Sequence, residues 1–259
     1  MNEINFDIKD KKYRLLVYTA LFGDYDYLID PREKFEGCDF ICFTDQNQLK
    51  SDFWEIRLID KCDLPLNMMN RKYKILPHLF IKSYERSLYI DPNIAILKNP
   101  KDLSDKYLNH LDFVVPKHFL RNCVYDEAKE CIILMKDIKK NIKKQIQRYK
   151  EANFPAQFGL SENNILLRNH LKKSISILME SWWLELNKET KRDQLSLPFV
   201  MWKENRAYNF MAESARQDIK GGRYFGWPAP HKDLTSGQFI TKLKNTLKYR
   251  FNRLFANWW

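Results

Sequence analysis

The chain has 259 residues, of which 44% are hydrophobic and 14% aromatic, and its formal net charge is +11. A chain of this length and apolar content can bury a sizeable core, which excludes an intrinsically disordered protein. Seven glycines and ten prolines are too few for a fibrous or linker-rich protein. No apolar run approaches the roughly 20 residues of a membrane span, and the first residues lack a signal-peptide pattern, so a cytoplasmic protein is expected.

The positive charge is concentrated in two segments. Residues 136–150 carry a net charge of +6 and residues 235–259 a net charge of +5, so the rest of the chain is neutral overall. A catalytic body with two basic segments explains this distribution better than a nucleic-acid-binding protein, and no nucleic-acid partner is expected. The five cysteines are odd in number and scattered, which fits reduced core residues rather than a disulfide framework or a zinc site.

Strands and helices alternate along the first two thirds of the chain. The predicted elements are strands at 14–20, 38–45, 53–59, 87–91 and 112–115, a helix at 67–84 interrupted at Pro77, an amphipathic helix at 126–150, a strand at 165–168, a helix capped by Asn169 that runs to Leu186, and a short helix opened by residues 192–194. This alternation predicts an α/β fold with an open, largely parallel sheet. Ligands bind such sheets at the carboxyl ends of the strands, where we expect Thr19, Asp45 and Asp91 to converge.

A break at Pro92 separates the strand that ends at Asp91 from a second apolar run, and it presents two oxygen-bearing side chains. Asp91 and Asn93 are two residues apart. At this spacing they can hold a hard divalent cation, which can in turn bind a diphosphate. A turn without any ligand is the alternative, because Asp-Pro-Asn is also a common turn sequence.

The last segment, residues 235–259, differs in composition from the rest. Its apolar residues recur every three or four positions, five basic residues occupy the other positions, and Trp258 and Trp259 end it. This pattern predicts a basic amphipathic helix in a membrane interface, and hence a peripheral protein on the inner face of the cell membrane. The alternative is a helix packed on the catalytic body or on a second subunit. We therefore divide the chain into a catalytic domain at 1–234 and a tail at 235–259.

Five short segments in this order resemble a known family. They are residues 17–26, 42–45, 71–78, 87–93 and 192–196. The set resembles the glycosyltransferase-like domain family long catalogued as a domain of unknown function, with plant cell-wall and bacterial polysaccharide members. More loosely, it is similar to retaining galactosyl- and glucosyltransferases of the GT-A fold. The resemblance implies a GT-A-like, Rossmann-like fold and a nucleotide-sugar-dependent glycosyltransferase.

The resemblance also implies roles for residues that bind the donor. Thr19 and Ala20 would line the nucleoside pocket, and Asp45 would lie near the base or ribose. Arg71 and Lys74 would face the diphosphate or the sugar.

For the metal and the chemistry, the resemblance again gives positions. Asp91 and Asn93 would occupy the Asp-x-Asp metal motif, here with an amide as its second member, and His231 would complete the metal shell. Asp193 and Gln194 would flank the sugar as catalytic residues. As an alternative, Asp193 is simply an acid in the first turn of a helix.

The resemblance, together with the basic segment 235–259, therefore implies a hexosyltransferase with a UDP-linked donor, a divalent metal such as Mn²⁺ or Mg²⁺, and a glycan or lipid-linked acceptor. The main alternative is a protein of the same fold that binds a nucleotide sugar or glycan without turnover.

Overall fold

A central β-sheet organises the chain, seen here in a computed structural model that describes residues 11, 13–60, 63–216 and 223–226. The strands are β1 (Leu15–Leu21), β2 (Cys38–Thr44), β3 (Glu55–Leu58), β4 (Arg86–Ile90), β5 (Ala95–Ile96), β6 (Phe113–Pro116), β7 (Ile165–Arg168), β8 (Phe210–Met211) and β9 (Phe225–Gly226). The helices are α1 (Leu66–Ile75), α2 (Pro77–Phe80), α3 (Lys101–Leu108), α4 (Val124–Ile133), α5 (Lys139–Glu151), α6 (Lys173–Leu186) and α7 (Asp193–Lys203).

Seven of the described strands form one sheet in the order β3-β2-β1-β4-β7-β6-β8. Strand β7 is antiparallel to both of its neighbours, whereas the other paired strands of this sheet run parallel. Strands β5 and β9 form a separate antiparallel pair. The predicted α/β class, with a mostly parallel sheet flanked by helices, is confirmed. The predicted C-terminal amphipathic helix lies outside the described residues.

Strand β1 is buried along its whole length because protein covers both faces of the sheet. Leu16 and Tyr18 pack in one apolar cluster together with side chains of α1, α6 and α7. Leu15 and Val17 point to the opposite face and pack in a second cluster with α3. Successive side chains on a strand point to opposite faces, so a strand covered on both sides has to be apolar at every position.

The helix predicted at 126–150 is wrong in its extent, because the structure has two helices there. Helix α4 ends at Ile133, and Met135 adopts a left-handed backbone with a φ of 52°. Asp137 then accepts hydrogen bonds from the backbone N–H groups of Ile138 (2.7 Å) and Lys191 (2.8 Å). This acidic side chain anchors the connection to the residues before α7, and α5 starts afresh after it.

Asn169 does not cap α6, contrary to prediction. The cap residue is Lys172, and the Asn169 amide donates instead to the carbonyl oxygens of Leu108 and Leu111 at 3.2 Å.

Among the helices in the described part of the chain, none combines the length and the apolar character needed to cross a bilayer.

A buried arginine fixes the C-terminal end of α1 to the sheet. Arg168 of β7 is fully buried, and its guanidinium donates to the carbonyl oxygens of Lys74 (2.8 Å) and Ile75 (3.5 Å) and to the hydroxyl of Tyr18. The last carbonyls of a helix lack intrahelical partners and lie at the negative end of its dipole, so a cation stabilises them. Arg168 therefore fixes the backbone position of Lys74.

We expect Arg168→Met to lower the free energy of unfolding by about 2–4 kcal/mol, because buried carbonyl groups lose their donors. Urea denaturation measures the loss. The matched control is Arg86→Met, which removes a half-exposed arginine paired with Asp105 at 3.3 Å and should cost less than about 1 kcal/mol. Equal losses in the two variants would contradict a special role for Arg168.

Candidate active site

A cavity of about 560 Å³ opens at the carboxyl ends of β1 and β4. Its walls come from distant parts of the sequence: the end of β1, helix α1, the turn after β4, the segments 118–121 and 162–164, and the start of α7. This is the edge where an open α/β sheet binds ligands, and the volume suits a small molecule. Seven of the residues predicted for the site line it: Ala20, Arg71, Lys74, Asp91, Asn93, Asp193 and Gln194.

The ammonium group of Lys74 lies between two carboxylates of this cavity. Its Nζ is 2.6 Å from Oδ2 of Asp193 and 3.6 Å from Oδ1 of Asp91. Tyr89 of β4, two residues before Asp91, donates its hydroxyl to Asp91 Oδ1 at 2.9 Å. Lys74 and Asp193 are each only 7% exposed. A lysine this buried needs a paired carboxylate, so the two side chains hold each other in place.

The two carboxylates differ in their acid–base properties. Burial alone would raise the pKa of Asp193, but Lys74, Arg71 and Arg192 outweigh it, and the pKa falls well below its ordinary value of 3.8. Burial raises the pKa of Asp91, and Lys74 offsets this only in part. Asp193 is therefore firmly ionised, whereas Asp91 binds a proton more readily.

Gln194, beside Asp193, has its amide held from both sides. Its Nε2 contacts the carbonyl oxygen of Ser161 at 3.4 Å, and its Oε1 lies 3.5 Å from a guanidinium nitrogen of Arg192. The Asp193 carboxylate also accepts the backbone N–H of Gln194 at 3.0 Å. The start of α7 thus presents a carboxylate and an oriented amide to the same cavity.

Oxygen atoms that suit a divalent cation lie on the wall formed by the turn after β4. Asn93 is 2% exposed, and its amide nitrogen lies 3.4 Å from Asp26 Oδ1. Asp26 also lines the cavity, and its charge adds to burial in raising the pKa of Asp91. Two carboxylates and an amide are hard oxygen ligands of the kind that Mn²⁺ and Mg²⁺ take, so the donor set fits such an ion.

Protein ligands alone do not complete such a metal site in the described part of the chain. There, no three His, Cys, Asp or Glu side chains are grouped closely enough to hold a metal ion. The remaining ligands would be substrate and water oxygens, as is usual for Mg²⁺ bound beside phosphates. His231, predicted as a metal ligand, lies outside the described residues.

Two of the predicted donor-binding residues do not line this cavity. Thr19 is fully buried, and because neighbouring residues of a strand alternate, it points away from the face on which Ala20 reaches the cavity. Asp45 accepts the backbone N–H of Gly23 at 2.9 Å and holds the turn after β1, where Gly23 has a φ of 74°. Both residues lie at or near strand ends as predicted, but the contacts that the structure shows for them stabilise the fold and do not reach this cavity.

Several residues of the cavity were not singled out from the sequence as site residues. Asp26, Tyr89 and Arg192 lie inside the segments that carry the family resemblance, and position relative to Asp91 was the available signal for Tyr89, two residues earlier on the same strand face. Asn163 and Asn164, which directly precede β7, also belong to this group. Both line the cavity, and buried amide atoms of each have no hydrogen-bond partner among the described residues.

Comparison with known proteins gives one family match. A family model described as TOD1/MUCI70, glycosyltransferase-like domain, matches residues 3–219, which is most of the chain. A search of curated proteins found no match.

Solved structures of glycosyltransferases resemble the chain at low sequence identity. An active-site mutant of LgtC is 12% identical with a TM-score of 0.45, over 90% of this chain and 95% of that one. Mouse xyloside xylosyltransferase 1 is 12% identical with a TM-score of 0.43, over 77% of this chain and 85% of that one. The bifunctional glycosyltransferase WbbM is 10% identical with a TM-score of 0.44; 92% of this chain is covered, but only 45% of WbbM.

The opposite pKa shifts predict opposite effects of neutralising the two carboxylates. Because the pKa of Asp193 is lower in the folded chain, its ionised form stabilises the fold above the unfolded pKa, and this contribution is lost as the pH falls toward the folded pKa. We expect Asp193→Asn to cost about 2–4 kcal/mol at pH 7, by breaking the buried pair with Lys74, and somewhat less at pH 3, which lies between the unfolded and the folded pKa.

Asp91→Asn is the matched control. The folded pKa of Asp91 is raised, so its ionised form does not stabilise the fold at pH 7, and the variant should be about as stable as the parent chain. Denaturant unfolding of both variants at pH 7 and pH 3 checks the pair. A larger loss for Asp91→Asn than for Asp193→Asn at pH 7 would contradict the assignment of charges.

Proposed function

We propose that this chain, which belongs to the TOD1/MUCI70 glycosyltransferase-like domain family, transfers a hexose from a UDP-linked nucleotide sugar to a glycan or lipid-linked acceptor. The observation that carries the proposal is the arrangement of Asp193, Lys74 and Asp91 in the cavity at the carboxyl edge of the sheet. It places an ionised carboxylate, a second carboxylate and several cations around a space of suitable size for a donor sugar.

Transfer separates charge, and the cavity has groups for both signs. The bond from the anomeric carbon to a diphosphate oxygen breaks, a bond to the acceptor hydroxyl oxygen forms, and the hydroxyl proton leaves to the departing diphosphate. Negative charge grows on the phosphates, and Arg71 and Arg192 are among the cations that line the cavity. Positive charge grows at the anomeric carbon, which the ionised Asp193 and the amide oxygen of Gln194 stabilise.

Lys74 keeps Asp193 ionised and fixes its orientation, so we regard it as a positioning residue for Asp193 rather than as a ligand of the phosphates. At 2.6 Å from Asp193, its ammonium group is already committed to that carboxylate. A sugar cation developing near Asp193 would share the carboxylate with Lys74. This sharing limits how strongly Asp193 binds the donor sugar before the glycosidic bond breaks.

Asp26, Asp91 and Asn93 are the residues that would hold a divalent cation, Mn²⁺ or Mg²⁺. When bound, the ion supplies Lewis-acid neutralisation of the leaving diphosphate. The predicted role of His231 in the same shell remains part of this proposal.

Binding without turnover is the second candidate function. It is favoured by one observation: Asn93 stands where a second acid would bind a metal more tightly, and its amide contacts Asp26 instead. A neutral amide is a weaker ligand than a carboxylate. A protein of this kind would bind the nucleotide sugar and leave it intact.

The membrane surface is proposed as the location of the acceptor. The support is the sequence of residues 235–259, in which five basic residues alternate with apolar residues at a spacing of three or four. Such a segment binds anionic headgroups and places its aromatic side chains at the interface. A peripheral position on the inner face of the cell membrane follows from this.

Thermal unfolding in the presence of UDP, GDP or CMP, each with Mn²⁺ and with chelator, tests the donor site. A ligand at about 100 times its dissociation constant adds roughly 2.7 kcal/mol to the stability of the fold. We expect UDP with Mn²⁺ to stabilise the chain most, and Asp91→Asn to remove the part that depends on the metal. Stabilisation by none of the three nucleotides would contradict a donor site of this class.

Release of UDP from UDP-hexoses separates the two candidate functions. We expect Asp193→Asn to reduce turnover at least about 100-fold, because the growing positive charge loses its carboxylate. The control is Asp126→Asn, on the exposed surface of α4, where the carboxylate pairs only with Lys129 at 3.1 Å among the contacts described. Nucleotide binding without any turnover in the parent chain would favour the binding protein.

Removal of residues 235–259 tests the membrane proposal. We expect the shortened chain to lose sedimentation with phosphatidylglycerol vesicles, whereas the full chain binds them and is released by salt. UDP binding, measured in parallel, reports whether the shortened chain is folded. Equal sedimentation of both chains would assign membrane binding to another surface or to none.

A further inference from the structure

A second cavity, of about 470 Å³, adjoins the first. It lies between helix α1, the α4–α5 connection and the residues that precede α7. The charged residues that line it are the four cations Arg71, Lys136, Lys191 and Arg192 and the single acid Asp137. Three of these cations, namely Arg71, Lys136 and Arg192, line the first cavity as well.

The acid in this cavity is already used. One oxygen of Asp137 accepts the N–H of Ile138 and the other accepts the N–H of Lys191, at 2.7 and 2.8 Å. Its charge is thus directed at backbone groups that hold the wall together. The cations outnumber it, so the cavity has an excess of positive charge that attracts an anion.

The N-terminus of α5 adds to the positive potential. Its cap residue, Ile138, lines the cavity, and the helix has no side-chain capping hydrogen bond and no acid in its first turn. Helix N-termini attract anions through their unpaired N–H groups and their dipole. With 13 residues, α5 is long enough for this effect. Helix α7 also begins at the cavity, but Asp193 in its first turn already offsets its dipole.

Buried donors provide an independent indication of a ligand. The Nε atoms of Arg71 and Arg192 are buried and have no hydrogen-bond partner among the described residues. A buried N–H without a partner is costly, and a bound anion is the natural acceptor for a guanidinium. Both arginines stand at the boundary between the two cavities.

Position distinguishes this cavity from the donor site. The donor is proposed to occupy the first cavity, from Ala20 to Asp91 and Asp193, and none of these three residues lines the second cavity. Arg192 directly precedes Asp193, so a group bound in the second cavity lies next to the position proposed for the donor sugar. That is the position an acceptor has to occupy.

We propose that the second cavity binds an anionic group of the acceptor, either a phosphate or a carboxylate. This inference rests on the proposed function, because it assigns the second substrate of the same reaction. Leu134, which lines the first cavity, and Ile138, which lines the second, are apolar side chains that are 39% and 65% exposed. A phosphate linked to a lipid would use them, whereas the carboxylate of an acidic sugar would not need them.

Isothermal titration calorimetry of the full chain with inorganic pyrophosphate, in saturating UDP and Mn²⁺, tests the site. We expect pyrophosphate to bind beside UDP, and Lys191→Glu to weaken this binding at least tenfold, because it reverses a charge that lines only the second cavity. Lys191→Gln should give a smaller loss of the same sign. The control is Lys144→Glu, which makes the same change of net charge on an exposed position of α5 that lines neither cavity.

Several results would overturn the inference. One is competition between pyrophosphate and UDP, which would assign the second cavity to the donor as well. Another is an equal effect of Lys191→Glu and Lys144→Glu, which would reduce the effect to net charge. If UDP does not bind at all, the proposed function fails, yet pyrophosphate titrated alone into the parent chain and Lys191→Glu still decides whether the anion site exists.

Titration with farnesyl phosphate and with glucuronate identifies the source of the anion. Binding of either, weakened by Lys191→Glu and not by Lys144→Glu, supports the site. Stronger binding of farnesyl phosphate, lost in part in Ile138→Ser, assigns a lipid-linked acceptor. Binding of neither compound overturns the proposal.

Discussion

Burial of the Lys74 ammonium group is the constraint on which the candidate active site depends. An ammonium group removed from water has to be paired, and Asp193 pairs with it at 2.6 Å from a position 119 residues later in the chain. Arg168 fixes the C-terminal end of α1 by donating to the carbonyl oxygens of Lys74 and Ile75. Two buried cations therefore hold the sheet, α1 and the start of α7 in one arrangement. Arg168 anchors the helix backbone, and Lys74 orients the Asp193 carboxylate.

The same charges divide the work between the two acids. Asp193 is surrounded by cations and stays ionised, whereas Asp91 is buried beside the negative charges of Asp193 and Asp26, so its pKa rises. A divalent cation bound at Asp91 and Asp26 would neutralise these negative charges and lower the pKa of Asp91. The two carboxylates therefore fit such an ion. The adjoining cavity has the opposite excess of charge, because the four cations that line it outnumber its one acid.

Much of this could be predicted from local patterns. The strand β1 was expected from a continuous apolar run, and the site at its carboxyl end followed from the rule for parallel sheets. Asp91 and Asp193 were expected in one site, and both line the cavity. Thr19 was expected beside Ala20 at the end of β1, but it does not line this cavity, because a shift of one residue along a strand reverses the face on which a side chain lies. The helix at 126–150 was extended through Met135 because its periodicity continues, whereas its break depends on the contact of Asp137 with Lys191.

The sequence by itself determined the α/β class and the alternation of elements, because periodicity is a local property that short segments carry, and the same short segments carried the family resemblance. Only the tertiary structure decided which charges meet. The partners of Lys74, the raised pKa of Asp91 and the second cavity with its four cations all depend on residues far apart in the chain. Coulombic interaction and desolvation depend on distances of a few ångströms in space. The number of residues between two positions in the sequence does not give that distance.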